Sequence, residues 1–292
     1  SDVCSSDLEE IIKLTDYQHH RKRTEMYLGS RTAHTQNIVH WDGKKLAPKD
    51  LTWTPAVYCA FRELLDNALD EVIGHRKGSK IDVTFDPKEM VFSVSDDGRG
   101  IPIDWDENER MHKATMVLSQ ARTGRNFGQR GEVRGTNGVG SSVVVSCSSE
   151  FVIDIRRDGK RFQQTFTEGN DMLPDTHISQ PKITNNTGKS GTEATFRLSS
   201  SVFPGAVIPM EFIRARVFEV AANHPNIRFT FNGDRVVVRN TIEKTLLNGR
   251  DVISLGINED QFRSTYYLVP GFAEDGEYLH STVNDIPAFN GG

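Results

Sequence analysis

The chain has 292 residues, of which 26% are charged and 36% hydrophobic, and its formal net charge is −5. This length is enough for one large domain or two ordinary ones. The acidic balance argues against a surface that coats nucleic acid throughout, although it leaves room for a local basic patch. The sequence contains neither an apolar run long enough to cross a membrane nor a signal-peptide pattern.

The cysteines and the two ends of the chain carry little structural information. Cys4, Cys59 and Cys147 lack metal-ligand spacing, which indicates a reducing compartment and no disulfide framework. Residues 1–8 look like the translation of a sequencing adapter, so we exclude them from fold reasoning. Because the chain lacks an initiator Met and its last residues complete no element, we expect a fragment of a longer gene.

The first part of the chain predicts an arm and a long helix. Residues 9–20 are predicted as a short helix or arm, and composition favours a solvated state for the basic cluster that follows. The polar segment 30–54 predicts a loop with a short hairpin around Asp42-Gly43. Thr54-Pro55 is a helix-start signal, and the helix is predicted to run to about Ile73.

Alternating and β-branched runs then predict a hairpin at 81–85 and 90–95, followed by a helix at 109–120. The Gly-rich segment 122–140 predicts a loop, and 141–147 a buried helix or strand. Later predictions are strands at 151–155, 161–167 and 192–198, a helix at 209–223, a hairpin at 227–231 and 236–239, a domain boundary near 240, a helix at 241–247, and strands at 252 and 265–269.

One face of the predicted long helix carries chemistry-bearing groups. Glu63, Asn67 and Asp70 are spaced four and three residues apart, so they share a face, while Leu64, Leu65, Ala68 and Val72 form an apolar side. A carboxylate one turn from a carboxamide suits a pair that polarises a water and holds a metal. Taken alone, the stretch also fits a solvated acidic face.

Two Gly-containing stretches could complete a ligand site with this helix. Asp96 ends a predicted strand and is followed by Gly98 and Gly100, which suits acceptance of a hydrogen bond from an exocyclic amine beside a flat ring, but also fits a plain turn. The loop 135–141 can direct backbone N–H groups at an anion. It is neither a Walker loop nor a convincing dinucleotide fingerprint.

Together these motifs resemble those of the GHKL (Bergerat-fold) ATPases. The carrying elements are Glu63-x-x-Asp66-Asn67-x-x-Asp70-Glu71, Asp96-Asp97-Gly98-Arg99-Gly100-Ile101-Pro102, Gly135-x-x-Gly138-x-Gly140 and Gly191-Thr192. Within that superfamily the chain is similar to the ATPase region of type IIA DNA topoisomerases, gyrase B-like proteins, through Tyr27-Leu28-Gly29 and the stretch 281–292. The stretches 125–127 and 136–140, which contain Asn126 and Asn137, look closer to the large subunit of T-even-like phage enzymes, and to eukaryotic enzymes, than to bacterial gyrase.

The resemblance implies an α+β fold: a Bergerat α/β sandwich with a mostly antiparallel sheet and helices on one face, spanning 9–240 with its N-terminal arm. Residues 241–292 would begin a transducer domain like domain 2 of ribosomal protein S5. It also implies ATP and Mg²⁺ as cofactors. Double-stranded DNA, a second copy of the chain and a cleavage subunit or domain would be partners, in the cytoplasm (the host's, if phage-encoded).

Residue roles follow from the same resemblance. Glu63 would be the general base for the water that attacks the γ-phosphate, and Asn67 would hold Mg²⁺. Asp96 would bind the adenine amine with support from Thr192. The remaining nucleotide contacts implied are Tyr27, Asp66, Asp70, Arg99, Gly100, Ile101, Pro102, Asn126, Gly135, Thr136, Asn137, Gly138, Val139, Gly140 and Ser141.

The sequence also bears on the rate of ATP hydrolysis, and two alternative functions remain open. The family's phosphate-sensing Lys lies in a Gln-Thr-Lys loop that this sequence does not contain, so we expect the chain to bind ATP but hydrolyse it poorly. The alternatives to the clamp of a DNA topoisomerase are a non-catalytic nucleotide-dependent dimerisation module and another GHKL ATPase, such as a mismatch-repair protein.

Overall fold

A computed structural model describes residues 13–41, 44, 46–121, 140–169, 177–237, 247, 250–259, 262–270, 282–283 and 286–287. Several predictions lie outside these residues: the adapter-like residues 1–8, the turn at Asp42-Gly43, the loop 122–139, the boundary near 240 and the helix at 241–246. The described helices are α1 (Asp16–Lys22), α2 (Thr24–Leu28), α3 (Pro55–Leu69), α4 (Lys113–Ser119), α5 (Gly140–Ser146) and α6 (Met210–Asn223). Within these ranges no helix has the length and apolar character that a membrane crossing requires.

The strands are β1 (His34–Trp41), β2 (Leu46–Trp53), β3 (Lys80–Asp86), β4 (Val91–Asp96), β5 (Trp105–Asp106), β6 (Met111–His112), β7 (Ser148–Arg157), β8 (Lys160–Thr167), β9 (Lys182–Asn185), β10 (Gly191–Leu198), β11 (Arg228–Phe231), β12 (Asp234–Arg235), β13 (Ile253–Glu259), β14 (Phe262–Leu268), β15 (Thr282–Val283) and β16 (Ile286–Pro287). Eight of them form one sheet in the order β12-β11-β3-β4-β10-β7-β8-β9. Only the β11–β3 pair in that sheet is parallel. The predicted α+β class is confirmed.

Alternate residues of the central strands are buried, as expected for a sheet covered on one face. Helix α3 packs over the centre of the sheet, where Phe61 lies 5.9 Å from the Phe92 ring. Phe92 in turn stacks on Phe85 at 4.4 Å and on Phe196 at 4.9 Å. This apolar contact fixes the inner face of α3, and therefore also which residues its outer face presents.

The segment 30–54 departs from its prediction as mainly loop. It forms a long hairpin in which β1 and β2 pair over eight positions, from His34 opposite Trp53 to Trp41 opposite Leu46. Trp53 is buried and stacks on Phe212 of α6 at 4.8 Å. The polar composition hid this pairing because each strand of a two-stranded sheet is an edge, where Pro48 is tolerated.

Several other local predictions differ from the structure in detail. The helix predicted at 109–120 begins only at Lys113, because residues 105–112 form the small β5–β6 hairpin. Thr54 precedes α3 as predicted, but its hydroxyl accepts a hydrogen bond from the Val207 N–H at 3.0 Å instead of capping the helix. His20, in the basic cluster predicted to be solvated, is buried. The ambiguous segment 141–147 is helical through Ser146.

Candidate active site

Helix α3 changes geometry at the end that carries the acidic residues. Its α-helical turns end at Leu69, and Asp70–Gly74 continues as a π-helical turn. A π turn inserts one extra residue, and such turns occur frequently at functional sites. Here both Asp70 and Glu71 are buried. The helix therefore ends in a buried carboxylate pair, next to the loop that follows β4.

The first residues of α5 lie directly against the polar face of α3. The Asn67 amide donates from Nδ2 to Oγ of Ser141 at 2.9 Å. A Cβ added at Gly140 would overlap Oε2 of Glu63 and lie 2.8 Å from its Cδ, so a larger residue there would displace the Glu63 carboxylate or α5. The structure thus brings together four of the predicted site residues. We call them the phosphate side: Glu63, Asn67, Gly140 and Ser141.

The electrostatics of Glu63 suit a proton acceptor. Burial raises the pKa of its carboxyl group, and Asp70 raises this pKa further, while Arg62 lowers it. The Arg62 guanidinium lies 3.7 Å from Glu63 and 3.5 Å from Asp66. A carboxylate whose pKa moves toward neutrality is a better general base near pH 7.

Asp96 lies at the far end of this face of α3, as the last residue of β4. It is 8% exposed, pairs in register with Thr192 of β10, and accepts a hydrogen bond from Gly98 N–H on Oδ1 at 2.8 Å. Burial raises the pKa of the Asp96 carboxyl group to about 7. The hydrogen bond from the Gly98 N–H lowers this pKa, and the negative charges of Glu71 and Asp97 raise it. Asp96, Gly98 and Thr192 form what we call the adenine side.

Glu71, which belongs to the first motif but has no role predicted from the sequence, also contributes to the site. Its carboxylate accepts three hydrogen bonds from Arg99: from the backbone N–H at 2.8 Å, from Nε at 2.9 Å and from Nη2 at 3.0 Å. A Cβ at Gly98 would overlap Cγ of Glu71. Glu71 therefore anchors the adenine-side loop to the end of α3. Its position four residues after Asn67 was the signal that could have indicated this.

The loop that follows Asp96 is also fixed by residues of β7. Gly100 has a φ of +81°, and a Cβ there would meet the Arg156 carbonyl oxygen at 2.9 Å. The Arg157 guanidinium donates from Nη1 to the Gly100 carbonyl at 2.7 Å. Ile101 packs at the border of the core, and Pro102 follows it half-buried. The backbone after Asp96 is thus fixed before any ligand arrives.

Three further predicted contacts are not among the residues that define these two sides. Asp66 is buried beside Arg62, Asp70 is buried in the π turn, and the Tyr27 hydroxyl contacts Nδ1 of His19 at 2.8 Å. Their roles toward a ligand stay predictions. The predicted contacts Asn126, Gly135, Thr136, Asn137, Gly138 and Val139 lie outside the described residues.

Asn67 is the residue predicted to hold Mg²⁺. Since its amide nitrogen donates to Ser141, the carbonyl oxygen is the atom left to face a cation. Among the described residues, His, Cys, Asp and Glu side chains form no group of three suited to a metal ion.

Comparison with known proteins agrees with this geometry. Residues 55–201 match the family described as histidine kinase-, DNA gyrase B-, and HSP90-like ATPase. DNA topoisomerase 2 of Penicillium chrysogenum is 28% identical over 241 residues, which is 80% of this chain and 15% of the relative. DNA topoisomerase 2-alpha of Gallus gallus is 25% identical over 293 aligned residues, 96% of this chain and 18% of the relative. The chain thus spans a minor part of these relatives.

Solved structures extend the likeness to the fold. The ATPase region of Saccharomyces cerevisiae topoisomerase II superposes with a TM-score of 0.71 at 25% identity, covering 79% of this chain and 62% of that one. The ATPase and transducer domains of DNA topoisomerase II from Balamuthia mandrillaris give a TM-score of 0.80 at 26% identity, covering 95% of this chain and 72% of that one. The chain belongs to the histidine kinase-, DNA gyrase B- and HSP90-like ATPase family.

Proposed function

We propose that this chain is the ATP-operated clamp of a type II DNA topoisomerase. In the whole enzyme, two copies would close around double-stranded DNA, and a cleavage subunit or domain would cut and rejoin it. The observation that carries the proposal is the contact of Glu63 and Asn67 with the first residues of α5, on the same helix whose end anchors the loop of Asp96. Helix α3 therefore carries the proposed base and the proposed amide, and the turn that continues it anchors the loop after Asp96, the proposed amine acceptor.

Each part of the nucleotide has a chemical counterpart along this face. The Asp96 carboxylate oxygen that Gly98 does not use would accept a hydrogen bond from the adenine amine. At the other end Glu63 would orient a water molecule and take its proton during attack on the terminal phosphate. Asn67 would hold Mg²⁺, which would supply positive charge to offset that of the phosphates.

Closure of the clamp would be a shift between populations. A ligand shifts a conformational equilibrium only when it binds one state more tightly than the other. ATP would favour the closed dimer through the residues of the phosphate side. The similarity of this chain to topoisomerases of fungal, animal and amoebal origin supports the topoisomerase assignment over other ATPases of the family. The closer kinship to phage enzymes and the cytoplasmic location stay predictions.

The first test measures binding and single-turnover hydrolysis in the same chain. A non-hydrolysable ATP analogue with Mg²⁺ should give binding heat in both the parent and Glu63→Gln. Hydrolysis with protein in excess should fall about 10²- to 10⁴-fold in Glu63→Gln, because general base catalysis is lost. Glu25→Gln, which changes an exposed glutamate 3.9 Å from Arg31, is the control and should match the parent.

The outcomes separate the candidate functions. Absence of binding heat in the parent would refute the proposal altogether. Binding that drives dimerisation without any hydrolysis would support a non-catalytic dimerisation module instead. Hydrolysis stimulated by double-stranded DNA would support the topoisomerase clamp, whereas hydrolysis indifferent to DNA would favour another ATPase of the family.

A further inference from the structure

Arg21 of α1 holds the end of α5 that lies away from the phosphate side. Its guanidinium donates from Nη1 to the carbonyl oxygen of Ser146, the last residue of α5, at 3.1 Å. Through Nη2 it donates to Oγ of Ser201 at 2.9 Å and pairs with the carboxylate of Glu168. The Arg21 side chain is only 13% exposed. A planar guanidinium can serve several acceptors at once, which a lysine ammonium on a flexible stem does less well.

A second bond from α1 reaches the same residue of α5. Nδ1 of His20 lies 3.0 Å from Oγ of Ser146. Because the Ser146 hydroxyl donates to the Ser142 carbonyl at 2.8 Å, the imidazole is the donor in this contact. His20 is buried, and this burial lowers its pKa to about 4, so the ring is neutral at pH 7. The α1 helix thus binds both the hydroxyl and the carbonyl of Ser146.

Helix α1 is itself firmly docked. The Tyr17 hydroxyl contacts the backbone N–H of Gly169 at 2.8 Å, and its ring lies 4.4 Å from that of His177. Asp16 accepts a hydrogen bond from the backbone N–H of Ala121, just after α4, at 2.9 Å. The position of α1 is therefore set independently of α5.

The two ends of α5 are mechanically linked because the helix is short. Seven residues span only about 10 Å, so a displacement of Ser146 is transmitted to Gly140 and Ser141. The middle of the helix, Val143–Val145, is buried in the core. Apolar packing is non-directional and sets the depth of the helix. The directional bonds at Ser146 restrain its position along its own axis.

We propose that Arg21 is a positioning residue for the phosphate side: it places α5 so that Gly140 and Ser141 meet Glu63 and Asn67. The inference rests on the proposed function, since it assigns a consequence for nucleotide binding. It predicts different effects on two ligands. Loss of Arg21 impairs recognition of the triphosphate and leaves recognition of adenosine by the adenine side intact.

The test compares two ligands by calorimetry or competition in the full chain. Arg21→Met should weaken binding of the Mg²⁺-loaded ATP analogue about tenfold, the usual effect of losing a charge-assisted hydrogen bond. Adenosine affinity should stay within about twofold of the parent, a change too small to report a lost hydrogen bond. Arg21→Lys should be intermediate. Arg31→Met is the matched control, because Arg31 also joins the N-terminal segment to the 199–203 turn, through Val202 O at 3.3 Å, yet that bond does not reach α5.

Each result has a distinct meaning. Failure of the parent to bind the analogue would refute the proposed function and not this inference alone. If the parent binds while Arg21→Met is unchanged, or loses both ligands equally, the positioning role is overturned. Thermal unfolding identifies a variant that does not fold, and in that case Arg21→Lys decides: a selective loss of the analogue supports the role, and an unchanged ligand ratio overturns it.

Discussion

The adenine side and the phosphate side of the site are built in opposite ways. On the adenine side, Asp96 ends a central strand of the sheet, and Glu71 makes three hydrogen bonds to Arg99 that fix the loop behind it. On the phosphate side, the described contacts are one hydrogen bond and one close approach between two helices. The loop that follows Asp96 is therefore fixed at the end of the sheet, whereas the described part of the phosphate side depends on where one short helix is placed.

This difference suits a clamp driven by a ligand. A part of the site that is already fixed gives affinity without reporting on the state of the protein. A part assembled from separate elements changes when those elements move, so the ligand bound there can shift a population. Arg21 of α1 binds the end of α5, and α1 thereby connects the second part to the N-terminal segment. Substitutions on each side can therefore test the two parts separately.

The largest effect is expected for Asp96→Asn, which breaks the adenine side. An amide can keep the bond from Gly98, but it then presents its own NH₂ to the adenine amine, leaving both donors unpaired. We expect affinity for both adenosine and the Mg²⁺-loaded analogue to fall about 100-fold or more, as for other sites that lose a polar complement. Calorimetry measures both affinities, and equal affinities in variant and parent would contradict the role of Asp96.

The free energy of unfolding of Asp96→Asn provides a second test of the adenine side. The carboxyl pKa of Asp96 is raised from 3.8 to about 7 in the folded protein, so the folded state holds the proton more tightly than the unfolded state does. The parent therefore loses stability as pH rises from about 4 to about 7. At pH 8 Asp96→Asn should unfold with a free energy higher by roughly 2–4 kcal/mol, and near pH 4 the difference should vanish.

An intermediate effect is expected for Gly140→Ala, which breaks the phosphate side. The added methyl would overlap Oε2 of Glu63, so the carboxylate must turn away or α5 must shift. We expect about tenfold weaker binding of the analogue and unchanged adenosine affinity, the scale of one lost charge-assisted contact. Gly256→Ala is the matched control, because a Cβ there meets no heavy atom within 4 Å. Parallel losses for both ligands would show that the two sides are not separable.

The smallest effect is expected for Ser141→Ala, which removes the acceptor of the Asn67 amide. Without that bond the amide is free to rotate, and its oxygen faces the cation for only part of the time. We expect about a threefold rise in the Mg²⁺ concentration needed for analogue binding, in line with one neutral hydrogen bond. Binding of the analogue without Mg²⁺ should not change. A Mg²⁺ dependence identical to that of the parent would argue against Asn67 as the metal ligand.

Local patterns in the chain were sufficient for much of this molecule. Spacing of four between Glu63 and Asn67 placed them on one helix face, and the alternation in 81–95 predicted the hairpin that ends in Asp96. Both are short-range regularities that geometry imposes on a helix or a strand. The family was identifiable from four motifs in the stretches 63–71, 96–102, 135–140 and 191–192, and the match over 55–201 confirmed it.

Tertiary contacts decided the remainder. The hairpin of β1 and β2 is stabilised by Trp53 stacking on Phe212, a partner 159 positions away by residue number, and composition alone suggested a loop. Glu71 acquires its role through its hydrogen bonds to Arg99, which lies 28 positions further along the chain. The contact between Arg21 and Ser146 likewise joins segments distant in the chain. Periodicity reports what neighbouring residues share, but a bond between distant segments depends on how the whole core packs, which no local pattern encodes.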